Sequence, residues 1–125
     1  MATSGDAVRA MYEAALAGDT EAFFGYVHDD LELFEPPCLP YGKIYRGKAG
    51  FGELFQAATQ VLNLPTMRIE SIISQGESVA AVITCDLLHS AVSATILEQW
   101  TVRDGQVVWG RVFWHDPTLV AGVTV

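Results

Sequence analysis

The sequence predicts an α+β fold in which helices cover one face of a curved, mostly antiparallel sheet. Two observations set the halves. Apolar residues recur with a helical period in three stretches before Pro65, and after it the period falls to that of strands. A third observation fixes a hairpin: Asp104-Gly105 lies between two runs rich in β-branched and aromatic residues.

Residues 4–17 carry Val8, Met11, Tyr12 and Ala15 at i, i+3, i+4 and i+7, the stripe of an amphipathic helix. Thr3 and Asp6 have capping-box spacing, and Gly18 supplies the stop. Asp19 is placed to cap a short second helix running to about Val27, with Ala22, Phe23 and Tyr26 inward. A strand over 31–35 puts Leu31, Leu33 and Glu35 on one face and Glu32 and Phe34 on the other. Pro36 and Pro37 end it, because neither can donate a ladder hydrogen bond. A third helix, about 48–62, aligns Phe51, Leu54, Phe55, Ala58, Val61 and Leu62. Four strands follow, at 67–75, 79–88, 94–103 and 106–115. The third helix crossing the concave face would enclose a cone-shaped apolar pocket.

A chain of 125 residues, half of them hydrophobic, forms one domain (1–125) with a sizeable core and little tendency to disorder. Seven Lys and Arg against fifteen Asp and Glu, a net charge of -8, exclude nucleic-acid and anionic-membrane partners that need a basic face. The first residues lack the basic and apolar regions of a signal peptide, and no apolar run approaches a membrane span. A soluble, cytoplasmic protein is expected.

Glu35 is the leading candidate for chemistry. It ends a strand beside Phe34 and precedes a proline-stiffened loop carrying Tyr41 and Tyr45, where partial desolvation would raise its pKa toward the range useful for proton transfer. The competing reading is a solvated strand-end glutamate. A two-residue turn at Asp104-Gly105, without a bulge, pairs Arg103 with Gln106, Val102 with Val107, Trp100 with Trp109, Glu98 with Arg111 and Ile96 with Phe113. His115 ends that face. Either the face looks into the pocket, with Glu98 a buried carboxyl among Trp100, Trp109 and Phe113, or it looks outward with Glu98–Arg111 a surface ion pair. A single bulge would exchange the pocket set on one strand.

The remaining residues point away from other chemistries. His28, His89 and His115 are scattered, so no metal site is expected. His28 and His89 read as turn residues. Cys38 and Cys85 form no framework; Cys85 reads as a small core residue, and Cys38 lies in the proline loop. There is no phosphate loop, dinucleotide fingerprint or nucleophile elbow.

Several segments together resemble a known group. These are Val8–Ala17 with its Ala-Gly-Asp ending, Phe24 followed by His28 through Pro36, Tyr45 through Gly50 with Phe55, Glu98 with Trp100 through Gly105, and Phe113 through Asp116. The chain resembles the ketosteroid-isomerase and SnoaL-like polyketide-cyclase group of the nuclear-transport-factor-2-like superfamily. That resemblance implies a cone-shaped α+β barrel, a homodimer, an apolar pocket and no metal or organic cofactor. Ketosteroid isomerases place their base, an aspartate, directly before a proline at the end of the first strand, and Glu35-Pro36 matches with glutamate in its place. Their second, protonated carboxyl lies in the strand before the hairpin, and Glu98 matches it. The helix tyrosine aligns with Met11, with Tyr12 next to it.

The resemblance thus implies a cofactor-independent acid–base enzyme, an isomerase, cyclase or dehydratase, acting on a small hydrophobic carbonyl compound such as a polyketide or steroid-like ring. Glu35 would abstract a proton alpha to the carbonyl, and Glu98, Arg111 and His115 would be the polar members of the pocket. Paired with Arg111, Glu98 would ionise, leaving Arg111, Tyr12, Tyr41 or Tyr45 as electrophile. Tyr12, Phe34, Tyr41, Phe55, Trp100, Trp109 and Phe113 are the expected substrate-binding walls. The alternative is a non-catalytic binding module, either a carrier of small hydrophobic ligands or a dimerising partner domain. An epoxide hydrolase would need an Asp–Arg–Asp arrangement that the sequence lacks.

Overall fold

The computed structural model describes residues 2–125. Helix α1 spans Ser4–Leu16, α2 Thr20–Gly25 and α3 Gly47–Ala58; the strands are β1 Val27–Phe34, β2 Ile44–Arg46, β3 Arg68–Gln75, β4 Ser78–Asp86, β5 Ser93–Arg103 and β6 Gln106–Trp114. The strands form one sheet in the order β2-β1-β6-β5-β4-β3. It is curved and unclosed, and mixed rather than purely antiparallel, because β1 runs parallel to β6.

The helix starts follow the sequence. Thr3 and Asp6 form the capping box: the Asp6 N–H donates to Thr3 Oγ1 at 3.1 Å and the Thr3 N–H to Asp6 Oδ2 at 2.8 Å. Asp19 Oδ1 accepts from the Ala22 N–H and starts α2. Helix ends are shorter than the apolar stripe suggests. The third helix stops at Ala58, and Leu62 instead bridges Leu87 while Val61 packs in the core. Apolar period continues through such a turn, since burial rather than helicity generates it.

Two strand readings change. The first strand begins at Val27, because the Val107 N–H donates to the Tyr26 carbonyl and draws the chain onto β6. The three-residue β2, which the sequence leaves inside a loop, pairs antiparallel with β1 at Leu33↔Tyr45.

The turn at Asp104-Gly105 has positive φ at both residues, 50° and 76°, as a type I′ hairpin requires. The expected pairs Arg103–Gln106 and Val102–Val107 are present. Beyond them a bulge leaves Val108 unopposed, and the register moves by one: Trp100 faces Gly110, Glu98 faces Val112 and Ile96 faces Trp114. The pairings of Trp100 with Trp109, Glu98 with Arg111 and Ile96 with Phe113 are therefore corrected. Because strand side chains alternate, that one residue exchanges the two faces of β6. Val112 and Trp114 are buried, and Trp109, Arg111, Phe113 and His115 belong to the other face.

Gly110 explains how the bulged register packs. A Cβ there would approach the Trp100 ring to 2.6 Å and Leu33 Cδ1 to 2.8 Å. The Trp100 ring lies over a position that only glycine leaves open. It stacks on Phe51 of α3 at 6.0 Å, which ties the helix to the centre of the sheet.

Candidate functional site

Between the helices and the concave sheet face lies a cavity of about 240 Å³. Its wall is apolar, with Phe55 and Leu54 from α3, Leu33 from β1, Ile83 and Cys85 from β4, and Val112 and Trp114 from β6. The polar lining comes from Tyr12, Glu35, Tyr41, Glu98, the Cys85 thiol and the Trp114 indole. Among the described residues no Lys, Arg or His lines it.

Local sequence positions each carboxyl. The Glu35 N–H donates to the Lys43 carbonyl at 3.1 Å, which carries the β1–β2 ladder one residue past the strand. The loop then folds over through Leu39 N–H to Pro36 carbonyl and Gly42 N–H to Leu39 carbonyl bonds, each 3.0 Å. Gly42 is required here, since a Cβ would sit 1.9 Å from the Pro36 oxygen. Tyr45 donates to the Tyr41 carbonyl at 2.6 Å and holds Tyr41 buried against the cavity. Glu35 is 7% exposed, the one charged-type side chain in the buried core among the described residues.

Glu98 reaches the same cavity from β5. Phe34 pairs with Arg111, so the next residue, Glu35, lies beside Val112, which faces Glu98. The row Glu35–Val112–Glu98 crosses two strand spacings, about 10 Å between backbones. Tyr12 Oη donates to Glu98 Oε1 at 2.5 Å and accepts from Trp100 Nε1 at 2.8 Å. Glu35 has no such support: its Oε1 is buried and finds no hydrogen-bond partner in the protein.

These surroundings separate the two acids. Burial raises Glu98 above the usual carboxylate value, opposed by the Tyr12 hydrogen bond. Burial raises Glu35 well above it, and the nearby Glu98 charge raises it further. The Tyr12 hydrogen bond favours the ionised form of Glu98, and Glu35 has no donor that would favour its own. A 2.5 Å O–H···O contact fits a carboxylate acceptor, which binds donors more closely than a neutral carboxyl does. Burial likewise raises Tyr12 and Tyr41, so both phenols stay protonated.

Of the residues expected at the site, Glu35, Glu98, Tyr12, Tyr41 and Phe55 line the cavity. Trp100 stands behind it and acts on it through Tyr12. Phe34, Trp109, Arg111, Phe113 and His115 do not line it, because the bulge turns odd-numbered β6 residues outward and Phe34 lies opposite Leu33 and Glu35 in parity. Among the described residues Arg111 pairs with no acid; its guanidinium lies 5.0 Å over Trp109 and 5.8 Å over Phe34 on the outer face. Cys38 is exposed, whereas Cys85 lines the cavity.

The residue that sequence reasoning misses is Trp114. Its only signal is parity with Val112, which becomes readable once the bulge is known. Among the described residues no group of three His, Cys, Asp or Glu is placed to hold a metal ion, and no helix is long and apolar enough to cross a membrane.

Comparison with solved structures gives the same fold. An NTF2-like protein of unknown function from Burkholderia pseudomallei superposes with a TM-score of 0.80 at 18% identity, covering 95% of each chain. TerC, co-crystallised with polyporic acid, gives 0.77 at 23% identity over 93% of each chain. A candidate ketosteroid isomerase from Kribbella flavida gives 0.72 at 16% identity, over 90% of this chain and 78% of that one. A search of curated proteins found no match. The SnoaL-like domain model matches residues 8–109, most of the cavity-forming chain, and the protein belongs to the SnoaL-like domain family.

Proposed function

We propose that the protein is a cofactor-independent acid–base enzyme, of isomerase or cyclase type, acting on a small hydrophobic carbonyl compound. The observation that carries this is two carboxyls, Glu35 buried and Glu98 partly buried, facing one apolar cavity with no cation among the described residues in its lining. Acids whose surroundings drive their pKa values apart are suited to opposite halves of a proton transfer. The volume, about 240 Å³, lies below the ~300–1,000 Å³ usual for ligand sites and favours a compact ligand of two or three rings over a four-ring steroid. Co-crystallisation of TerC with polyporic acid supports a ligand-binding role for the cavity.

In this reading Glu98, supported by the Trp100–Tyr12 chain, is the base. It takes the proton alpha to the carbonyl while Glu35, the protonated member, donates to the carbonyl oxygen, giving an enol. Return of the carbon-bound proton at another position, and of the oxygen-bound proton to Glu35, completes an isomerisation and leaves both acids as they began. The resemblance to ketosteroid isomerases assigns these roles the other way round. The Tyr12 hydrogen bond to Glu98, and the lack of any to Glu35, favour this order.

The test uses 2-tetralone in D₂O, with exchange of its alpha protons followed by NMR. Wild type accelerates exchange; Glu98→Gln loses on the order of 10²–10⁴-fold of it, the range of a positioned general base. Tyr12→Phe loses less and shifts the pH–rate profile upward. Full acceleration in Glu98→Gln would remove the mechanism, and binding without exchange in wild type would make the protein a carrier.

A further inference from the structure

Trp114 carries a feature that acid–base chemistry at Glu98 does not use. Its side chain is 9% exposed and lines the cavity, and its Nε1–H is buried with no hydrogen-bond partner in the protein. The other such atom among the described residues is Glu35 Oε1. An indole N–H is a donor only, and burying it without an acceptor is unfavourable.

The two residues line one corner of the cavity. Glu35 lies beside Val112, and Trp114 is two residues further along the same face of β6, about 7 Å away along the strand. Glu35, Val112 and Trp114 all line both the cavity and the groove that adjoins it on the far side of the sheet. Glu98 is engaged elsewhere, with Tyr12.

We propose that Trp114 is a ligand-binding donor, its indole N–H converging with the Glu35 carboxyl on a single carbonyl oxygen of the substrate. The inference rests on the cavity being the substrate site and adds a second electrophilic contact at the Glu35 end. It also narrows the ligand class. The group held there is an acceptor without a proton of its own, a ketone, aldehyde or quinone oxygen. Within the cavity a carboxylate is disfavoured, because no cation among the described residues lines it; Lys43 and Arg111 line only the adjoining groove.

The probe is 9-fluorenone against fluorene. They share one ring skeleton, and the ketone has no alpha hydrogen, so binding is read whether or not the protein catalyses proton transfer. Wild type should prefer fluorenone by about tenfold or more, the equivalent of one ordinary hydrogen bond, and lower its carbonyl stretching frequency on binding. Trp114→Phe keeps the apolar bulk; it should lose about tenfold of the preference and part of the infrared shift, while fluorene binding stays the same. As a measurement on wild type alone, independent of whether the variant folds, the Trp114 indole N–H resonance should move downfield with fluorenone and not with fluorene. An unchanged preference in Trp114→Phe, an unmoved resonance, or no preference in wild type would overturn the inference. Loss of exchange catalysis alone would count against the acid–base reading and leave this one standing.

Discussion

At the scale of single residues, the two glutamates differ through what touches them. Glu98 has a phenol and, behind it, an indole N–H; Glu35 has Phe34 before it, Pro36 after it and no donor. Both folded-state pKa values lie above the ordinary 4.5, so the folded protein holds protons that the unfolded chain releases. Their contribution to stability is therefore fully present below pH 4.5 and is lost as pH rises through the raised values. Glu35→Gln removes the larger of the two effects. Its melting temperature should exceed that of wild type at about pH 8, with the difference shrinking toward about pH 4. Thermal melts across that range measure it, and a difference independent of pH would show that Glu35 is not buried as a neutral acid. Glu35 was legible in sequence from its parity with Leu31 and Leu33 and from the prolines after it. Trp114 was not, because nothing adjacent in the chain marks its side of the sheet.

At the scale of elements, the β5–β6 hairpin decides what the cavity contains. The turn residues specify its tip, and the pairs nearest the tip follow from it. The bulge at Val108 then reassigns every later residue of β6. Both faces of that strand carry apolar and aromatic residues, so alternation could not say which face is inward. The physical arbiter is volume: Trp100 can lie flat on the neighbouring strand only where the facing residue is glycine. Gly110→Ala should cost about 1–3 kcal/mol, the range of overpacking in a filled core, and loosen the Trp100–Tyr12–Glu98 chain. Urea denaturation read by fluorescence tests this. A neutral substitution would mean that Trp100 moves freely and does not fix the site.

At the scale of the molecule, the open sheet has two unlike faces. The concave face is closed by helices; the other carries Phe113, 45% exposed, Ile44, 43% exposed, and Arg111 over its aromatic neighbours. Exposed apolar residues gathered on one face mark an interaction surface. We propose that a second copy of the chain covers it, in keeping with the homodimer that the resemblance implies. Sedimentation should give twice the mass of one chain, and Phe113→Glu should shift the protein toward monomer without altering fluorenone binding in the cavity. A monomeric wild type would remove this proposal.

The sequence by itself determined the helices, the hairpin tip, the inward parity of β1 and the presence of a glutamate at its end. These depend on residues near one another in the chain, through capping, turn stereochemistry and alternation. Only the tertiary structure decided that Glu98 meets Tyr12 across eighty-six positions, that Arg111 faces away, and that Trp114 faces in. Those outcomes depend on one inserted residue in a ladder and on whether a tryptophan ring finds room, quantities set by packing between strands that no local pattern encodes.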